Sequence, residues 1–307
     1  MKSKLIYLII LLFITISLHV AGQKAPQLLG ISHIAVKATD VEKSVAFYRD
    51  FLGFAEQGRL NNLDDGSLQL VFIKVSDTQW IEVFDGKRYE KSDRIHQISF
   101  RVNDAEEMRS YLEKNGLKVP AKVSRGQIKN LGVTVKDPHG YNIEIQQYTP
   151  EGWIVRDQGK FLPETRISNH IAHAAVIVDD IEASQHFYCD ILGFKESWRG
   201  SADGKELSWL HVKMPDSPDF VELMLNPTSA PHFCLEVPDI EKAKAKLMGT
   251  AYFPNYLKPL DTKTGKNQKR QLNLYDPEGI RVELMEPNTV DGKSVPPSDA
   301  PFPQKIK

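Results

Sequence analysis

Four side chains in the C-terminal half of the chain, His173, Glu222, His232 and Glu283, are of the types that hold a divalent cation or move a proton. Each adjoins an alternating apolar series: Ala174, Val176 and Val178; Val221 and Leu223; Phe233, Leu235 and Val237; Ile280, Val282 and Leu284. Successive side chains of a strand point to opposite faces, so the four lie on the face that the packing residues do not use. Two imidazoles and two carboxylates suit a borderline or hard divalent ion such as Fe, Mn, Ni, Co or Zn. The same rule picks His33, Glu82, Gln97 and Glu144 from the N-terminal half, where a neutral amide replaces one imidazole and makes the weaker set. His96 has the parity of the packing residues Ile98, Phe100 and Val102 and is set aside. His211 shares parity with Trp209, and Tyr275 flanks a turn; both are lesser candidates for proton transfer. His139, also in a turn, is expected to be exposed. A single His or Glu on a strand is ordinarily a solvated surface group. The case for a site is that four positions obey parity in one half.

These residues sit in a sequence that says its main phrase twice. SHIAVKATDVEKSVAFYRDFLGF from Ser32 is answered by AHAAVIVDDIEASQHFYCDILGF from Ala172, with His33 and His173, Asp40 and Asp180, Tyr48 and Tyr188, and Glu82 and Glu222 all 140 positions apart. Asp137-Pro138-His139-Gly140 is answered by Asp276-Pro277-Glu278-Gly279. A repeat that holds register this long is a duplicated module. Each copy divides again, because a strand pattern ending in Asp opens at His33, Gln97, His173 and His232. The Asp is placed to cap a helix, and after Asp40 the residues Val41, Val45, Phe47, Tyr48, Phe51 and Leu52 fall at helical spacing up to Gly53. Alternating stretches follow, such as Leu68–Val75 and Leu207–Met214. The expected fold is α+β: four βαβββ units in two modules, 28–148 and 168–287, joined by a linker over 149–167. A Pro-rich tail over 288–307 is expected to be an extended strap or disordered.

Composition narrows the class. Thirty-nine Lys and Arg against 40 Asp and Glu give a net charge of −1, which removes the simplest argument for nucleic-acid binding. Lys2 and Lys4, the apolar run from Leu5 to Leu18 and the small residues before Gln23 predict a signal peptide over 1–22. The run is shorter than a membrane span, so export to the periplasm or beyond is expected, with no stable membrane anchor. Cys189 and Cys234 can build neither a disulfide framework nor a cysteine-rich zinc site, and are expected to be inert core thiols. Tandem modules allow a monomer or a homodimer.

Four βαβββ units, with helices ending in FYRDFLGF and FYCDILGF and turns carrying DPHG and DPEG, resemble the vicinal oxygen chelate superfamily of glyoxalases, extradiol dioxygenases and bleomycin-resistance proteins. The resemblance spans roughly residues 28–287. It implies that paired units form half-open barrels that hold one divalent metal on the concave face. It further implies that His173, Glu222, His232 and Glu283 match the His/Glu/His/Glu set of glyoxalase I, with Glu222 as a ligand or the general base. The implied reaction is a glyoxalase-like lyase, isomerase or epimerase step on a small oxygen-bearing substrate, through an enediolate-type intermediate stabilised by the metal. Two alternatives stand beside it. His173, His232 and Glu283 match the two-His-one-carboxylate set of extradiol dioxygenases, although LNLYDPEG departs from their signature. A metal-free protein that binds a small molecule is the other. Trp80, Trp209 and Arg281 are expected to line the pocket.

Overall fold

The computed structural model describes residues 24–88, 95–225, 229–296, 298, 300 and 301; the segment read as a signal peptide and the last residues of the tail lie outside them. Each half is a curled eight-stranded sheet. The first comprises β1 (Leu28–Ala38), β2 (Ala55–Asn61), β3 (Leu68–Lys74), β4 (Trp80–Asp85), β5 (Ile95–Val102), β6 (Ser124–Arg125), β7 (Leu131–Lys136) and β8 (Asn142–Gln147), in the order β2-β3-β4-β1-β5-β8-β7-β6. The second comprises β9 (Ile171–Ile177), β10 (Lys195–Gly200), β11 (Trp209–Lys213), β12 (Phe220–Met224), β13 (His232–Glu236), β14 (Thr262–Thr264), β15 (Lys269–Tyr275) and β16 (Arg281–Thr289), in the same arrangement. The first strand of each unit pairs parallel with its last, as β9 does with β12 and β13 with β16. The first strands of partner units run antiparallel, β1 against β5 and β9 against β13. Four βαβββ units are thus fused two by two.

Asp40, Asp104, Asp180 and Asp239 cap the four crossover helices, α1 (Val41–Ala46), α2 (Ala105–Lys114), α4 (Ile181–Gln185) and α5 (Ile240–Met248), each accepting a first-turn backbone N–H. Helical periodicity after Asp40 predicts one α-helix, but α1 gives way to a π-helical turn over Phe47–Phe51, and α4 does the same over His186–Ile191. The wider bonding, with Leu52 N donating to Phe47 O, carries the chain into Gly53 at φ +75°. A Cβ there would lie 2.0 Å from the Thr165 carbonyl oxygen, so both backbone angle and space require glycine.

The two modules share one continuous apolar core and interlock reciprocally. Asp137, in the DPHG turn, accepts from Tyr188 Oη at 3.0 Å, and Asp276, in the DPEG turn, accepts from Ser44 Oγ at 3.0 Å. Glu278 accepts from the Thr39 and Asp40 backbone N–H groups at 3.0 and 2.9 Å. His139 is not exposed as its turn suggests; its ring meets Asp179 at 2.9 Å and Ser184 Oγ at 2.8 Å, because the turn docks on the start of α4. Gln79 ties the modules together through Ile31 O and both backbone groups of Ile171.

The segment 149–167 does more than link. Its short helix α3 (Trp153–Arg156) sets Trp153 and Ile154 into the hollow of the first sheet, against Phe72, Trp80 and Tyr148. A Cβ on Gly58 would lie 2.7 Å from the Trp153 ring, so β2 leaves room for the insertion. Lys74, fully buried, fixes the segment by donating to Asp157 O at 2.5 Å and Asp77 at 2.8 Å. Beyond β16, Ser298 and Ala300 bond Arg199, so this part of the tail lies against β10.

Candidate metal centre

Adjacent strands of the second sheet bring the C-terminal set together. The order β11-β12-β9-β13-β16 places His211 opposite Glu222, and Cys234 opposite both His173 and Glu283. His173 Nε2 lies 3.4 Å from His232 Nε2 and 3.3 Å from Glu283 Oε2, and the latter two are 3.2 Å apart. Donors about 2.0–2.2 Å from one ion, at angles between square and tetrahedral, are separated by roughly 3.0–3.5 Å. The triangle has that size. Glu222 stands close enough to join: its oxygen, His173 and His232 offer atoms within 4.8 Å of one another.

Protonation also suits a cation. His232 Nδ1 donates to Ala230 O at 3.1 Å, which orients the ring with Nε2 towards the triangle. Burial lowers the pKa of His173 and so favours its neutral form. Burial would raise Glu283, but its contacts with the His173 and His232 rings outweigh it and hold its pKa well below the usual carboxylate range. Burial likewise opposes charge on Glu222, yet the hydrogen bond from His211 Nε2 at 3.0 Å, with neighbouring imidazoles, holds it at about 2. Two ring nitrogens and a carboxylate oxygen therefore face one point, where positive charge is favoured. Among the described residues Arg281 supplies it: Nη2 reaches His232 Nε2 at 3.1 Å and Glu283 at 3.7 Å. His173 Nδ1 is buried without a partner.

The centre opens on a cavity of about 250 Å³ walled by Trp198, Trp209 and His211 on one side and by Asn267, Gln271 and Arg281 on another. His211 faces it, as parity with Trp209 suggests. Tyr275 does not line it; it lies in a separate recess with Tyr252 and Tyr256, whose hydroxyl bonds its backbone N–H. Cys234, which has the parity of His232, also borders the site. Its thiol is fully buried within 4.8 Å of donor atoms of His173 and Glu283, and burial holds its pKa well up.

The N-terminal set is closed. His33 Nε2 meets Glu82 at 3.5 Å and Glu144 at 3.4 Å, but the Gln97 amide nitrogen donates to His33 Nε2 at 3.1 Å and Glu144 at 3.0 Å. Burial lifts Glu82 to about 8 and Glu144 to about 7 and presses His33 down to about 3, so the group favours its neutral forms. Trp80, expected in a pocket, stacks on His33 under the α3 plug, with ring centroids 5.1 Å apart.

Fold and site together define a protein of paired βαβββ modules, one of which gathers two imidazoles and two carboxylates beside an open cavity. The chain belongs to the Glyoxalase/Bleomycin resistance protein/Dioxygenase superfamily, whose family model matches residues 30–145 and 170–284. It is 26% identical over 191 residues to a lactoylglutathione lyase of Schizosaccharomyces pombe, a match covering 54% of this chain and 59% of that enzyme. Among solved structures, a 2,3-dioxygenase from Pseudomonas sp. KL28 superimposes with a TM-score of 0.68 at 19% identity, covering 91% of this chain and 96% of that one. The Mn(II)-bound glyoxalase from Novosphingobium aromaticivorans does so with a TM-score of 0.67 at 14% identity, covering 88% and 84%.

Proposed function

We propose that the protein is an exported enzyme that binds one divalent ion through His173, His232 and Glu283 and catalyses a glyoxalase-like lyase, isomerase or epimerase reaction on a small oxygen-bearing substrate. The observation that carries this is the convergence of two imidazole nitrogens and a carboxylate oxygen at 3.2–3.4 Å. When bound, such an ion supplies Lewis acidity towards adjacent substrate oxygens. The remaining chemistry belongs to the chain. Glu222, held low, is a weak base by itself; its hydrogen bond orients His211 Nε2, whose imidazole is the group suited to moving a proton beside a carbonyl or hydroxyl. Trp198 and Trp209 flank that ring and keep bulk water from it. The lactoylglutathione lyase and the Mn(II)-bound glyoxalase support the reaction class. The export signal points away from glutathione itself, a cofactor of reducing compartments.

The two-His-one-carboxylate composition and the dioxygenase-like fold favour a second reading, ring cleavage of a catechol by a ferrous or manganous site. Metal analysis of protein purified anaerobically under reducing conditions tests the shared premise. His232→Ala is expected to abolish metal uptake, and Gln97→Ala to leave it intact; metal-free wild-type protein would defeat both readings. Oxygen consumption with catechols separates them, since the isomerase reading requires none.

A further inference from the structure

We propose that the substrate of this cavity carries an anionic oxygen group, a carboxylate or phosphate, and that Arg281 is the residue that selects it. The inference rests on the metal reading above and names the ligand class of the same site. Arg281 lies on β16 two positions before Glu283, on the same face, with Nε donating to Asn273 Oδ1 at 3.2 Å and Nη2 donating to His232 Nε2 at 3.1 Å. The second contact uses the lone pair that an ion must take. Arginine and ion cannot both hold it, and their like charges drive them apart, so the guanidinium is a stand-in that loading displaces.

Once displaced, it needs an acceptor. Glu283 is committed to the ion and Glu222 to His211, and the remaining polar rim, Ser229, Lys263, Thr264, Lys266, Asn267 and Gln271, holds no further carboxylate. That rim adds two further cations. Two carboxylates then face the guanidinium, two rim lysines and a dication, in a partly enclosed cavity where an unpaired guanidinium is costly. A bidentate anion from the ligand matches the planar fork of Arg281 and balances the field. The Trp198, Trp209 and His211 wall offers flat faces to the rest of the molecule. At about 250 Å³ the cavity falls below the roughly 300–1,000 Å³ usual for drug-sized ligands, so the molecule is small.

The test uses full-length protein, titrated first with Mn²⁺ and then, when loaded, with benzoate, phenyl phosphate and neutral benzamide. Broadening of the probes' ring protons by the bound Mn²⁺ reports binding beside the centre. Wild-type protein is expected to bind at least one of the anions about tenfold or more tightly than benzamide, and the preferred anion tells carboxylate from phosphate. Arg281→Gln should shrink that preference below about threefold while binding Mn²⁺ several-fold more tightly, because the competing cation is gone. Equal binding of benzamide and both anions, or an anion preference that survives in Arg281→Gln, overturns the proposal and leaves the metal reading intact. No Mn²⁺ uptake by wild type defeats both.

Discussion

His232→Gln would convert the C-terminal centre into a chemical copy of the N-terminal one. The structure shows what that glutamine would do: Gln97 donates to His33 Nε2 at 3.1 Å and Glu144 at 3.0 Å, replacing a demand for a cation with two hydrogen bonds. Free energies of roughly 10–16 kcal/mol for four-ligand zinc sites come to about 2.5–4 kcal/mol per ligand. Loss of one ligand then weakens binding by roughly 10²–10³-fold. At a free Mn²⁺ concentration 100 times the wild-type Kd, the ion stabilises wild type by about 2.7 kcal/mol. A variant weakened 100-fold gains only about 0.4 kcal/mol at that concentration. Urea unfolding with and without Mn²⁺ reads both numbers, and stability without Mn²⁺ should stay within about 1 kcal/mol of wild type, since the amide satisfies the acceptors. An equal Mn²⁺-dependent gain in the two proteins would refute the claim that His232 creates the cation site.

Three more outcomes follow from the geometry. Burial opposes charge on His170, but hydrogen bonds to Asp219 and Glu236 raise its pKa to about 9 from 6.5, so its protonated form favours the folded state. That contribution, about 1–3 kcal/mol, is fully present below about pH 6.5 and lost as pH rises through 9; in His170→Ala, denaturation curves should lack this alkaline loss. Trp153→Ala should unplug the first sheet at a cost of about 3 kcal/mol while metal stoichiometry stays unchanged, and altered stoichiometry would mean that the two halves share the ion. His211→Asn is expected to keep metal affinity and reduce turnover by roughly 10²–10⁴-fold, read from kcat in metal-saturated protein; a parallel loss of metal would make His211 a ligand instead.

Much of this architecture was legible because two regularities are written into the chain. The repeat fixes four units, and strand parity fixes faces, which is why His173, Glu222, His232 and Glu283 could be named from their apolar neighbours alone. Parity also places Cys234 on the face of His232, while its thiol is fully buried, as its residue type suggests. What parity cannot supply is distance between elements that are remote in the chain. The plugging of the first sheet by Trp153, the capture of His139 by α4 and the displacement of Tyr275 into another recess all depend on how loops return to the sheets. The π-helical turns escaped because 3.6-residue periodicity is blind to one widened turn, although the position of Gly53 marked where the helix stops.

The reciprocal docking of the two Asp-Pro turns bears on how far this chain can be cut. Each module's turn closes the other's helix start, and aromatic pairs such as Phe100 with Phe194 and Tyr48 with Phe233 straddle the seam. A C-terminal fragment carrying the whole donor set would therefore bare half a core and strand Asp276 without Ser44. The N-terminal barrel, its hollow filled by Trp153 and Ile154, is thus a brace for the C-terminal one, and a cut through the linker would remove the support on which the triangle of His173, His232 and Glu283 keeps its shape.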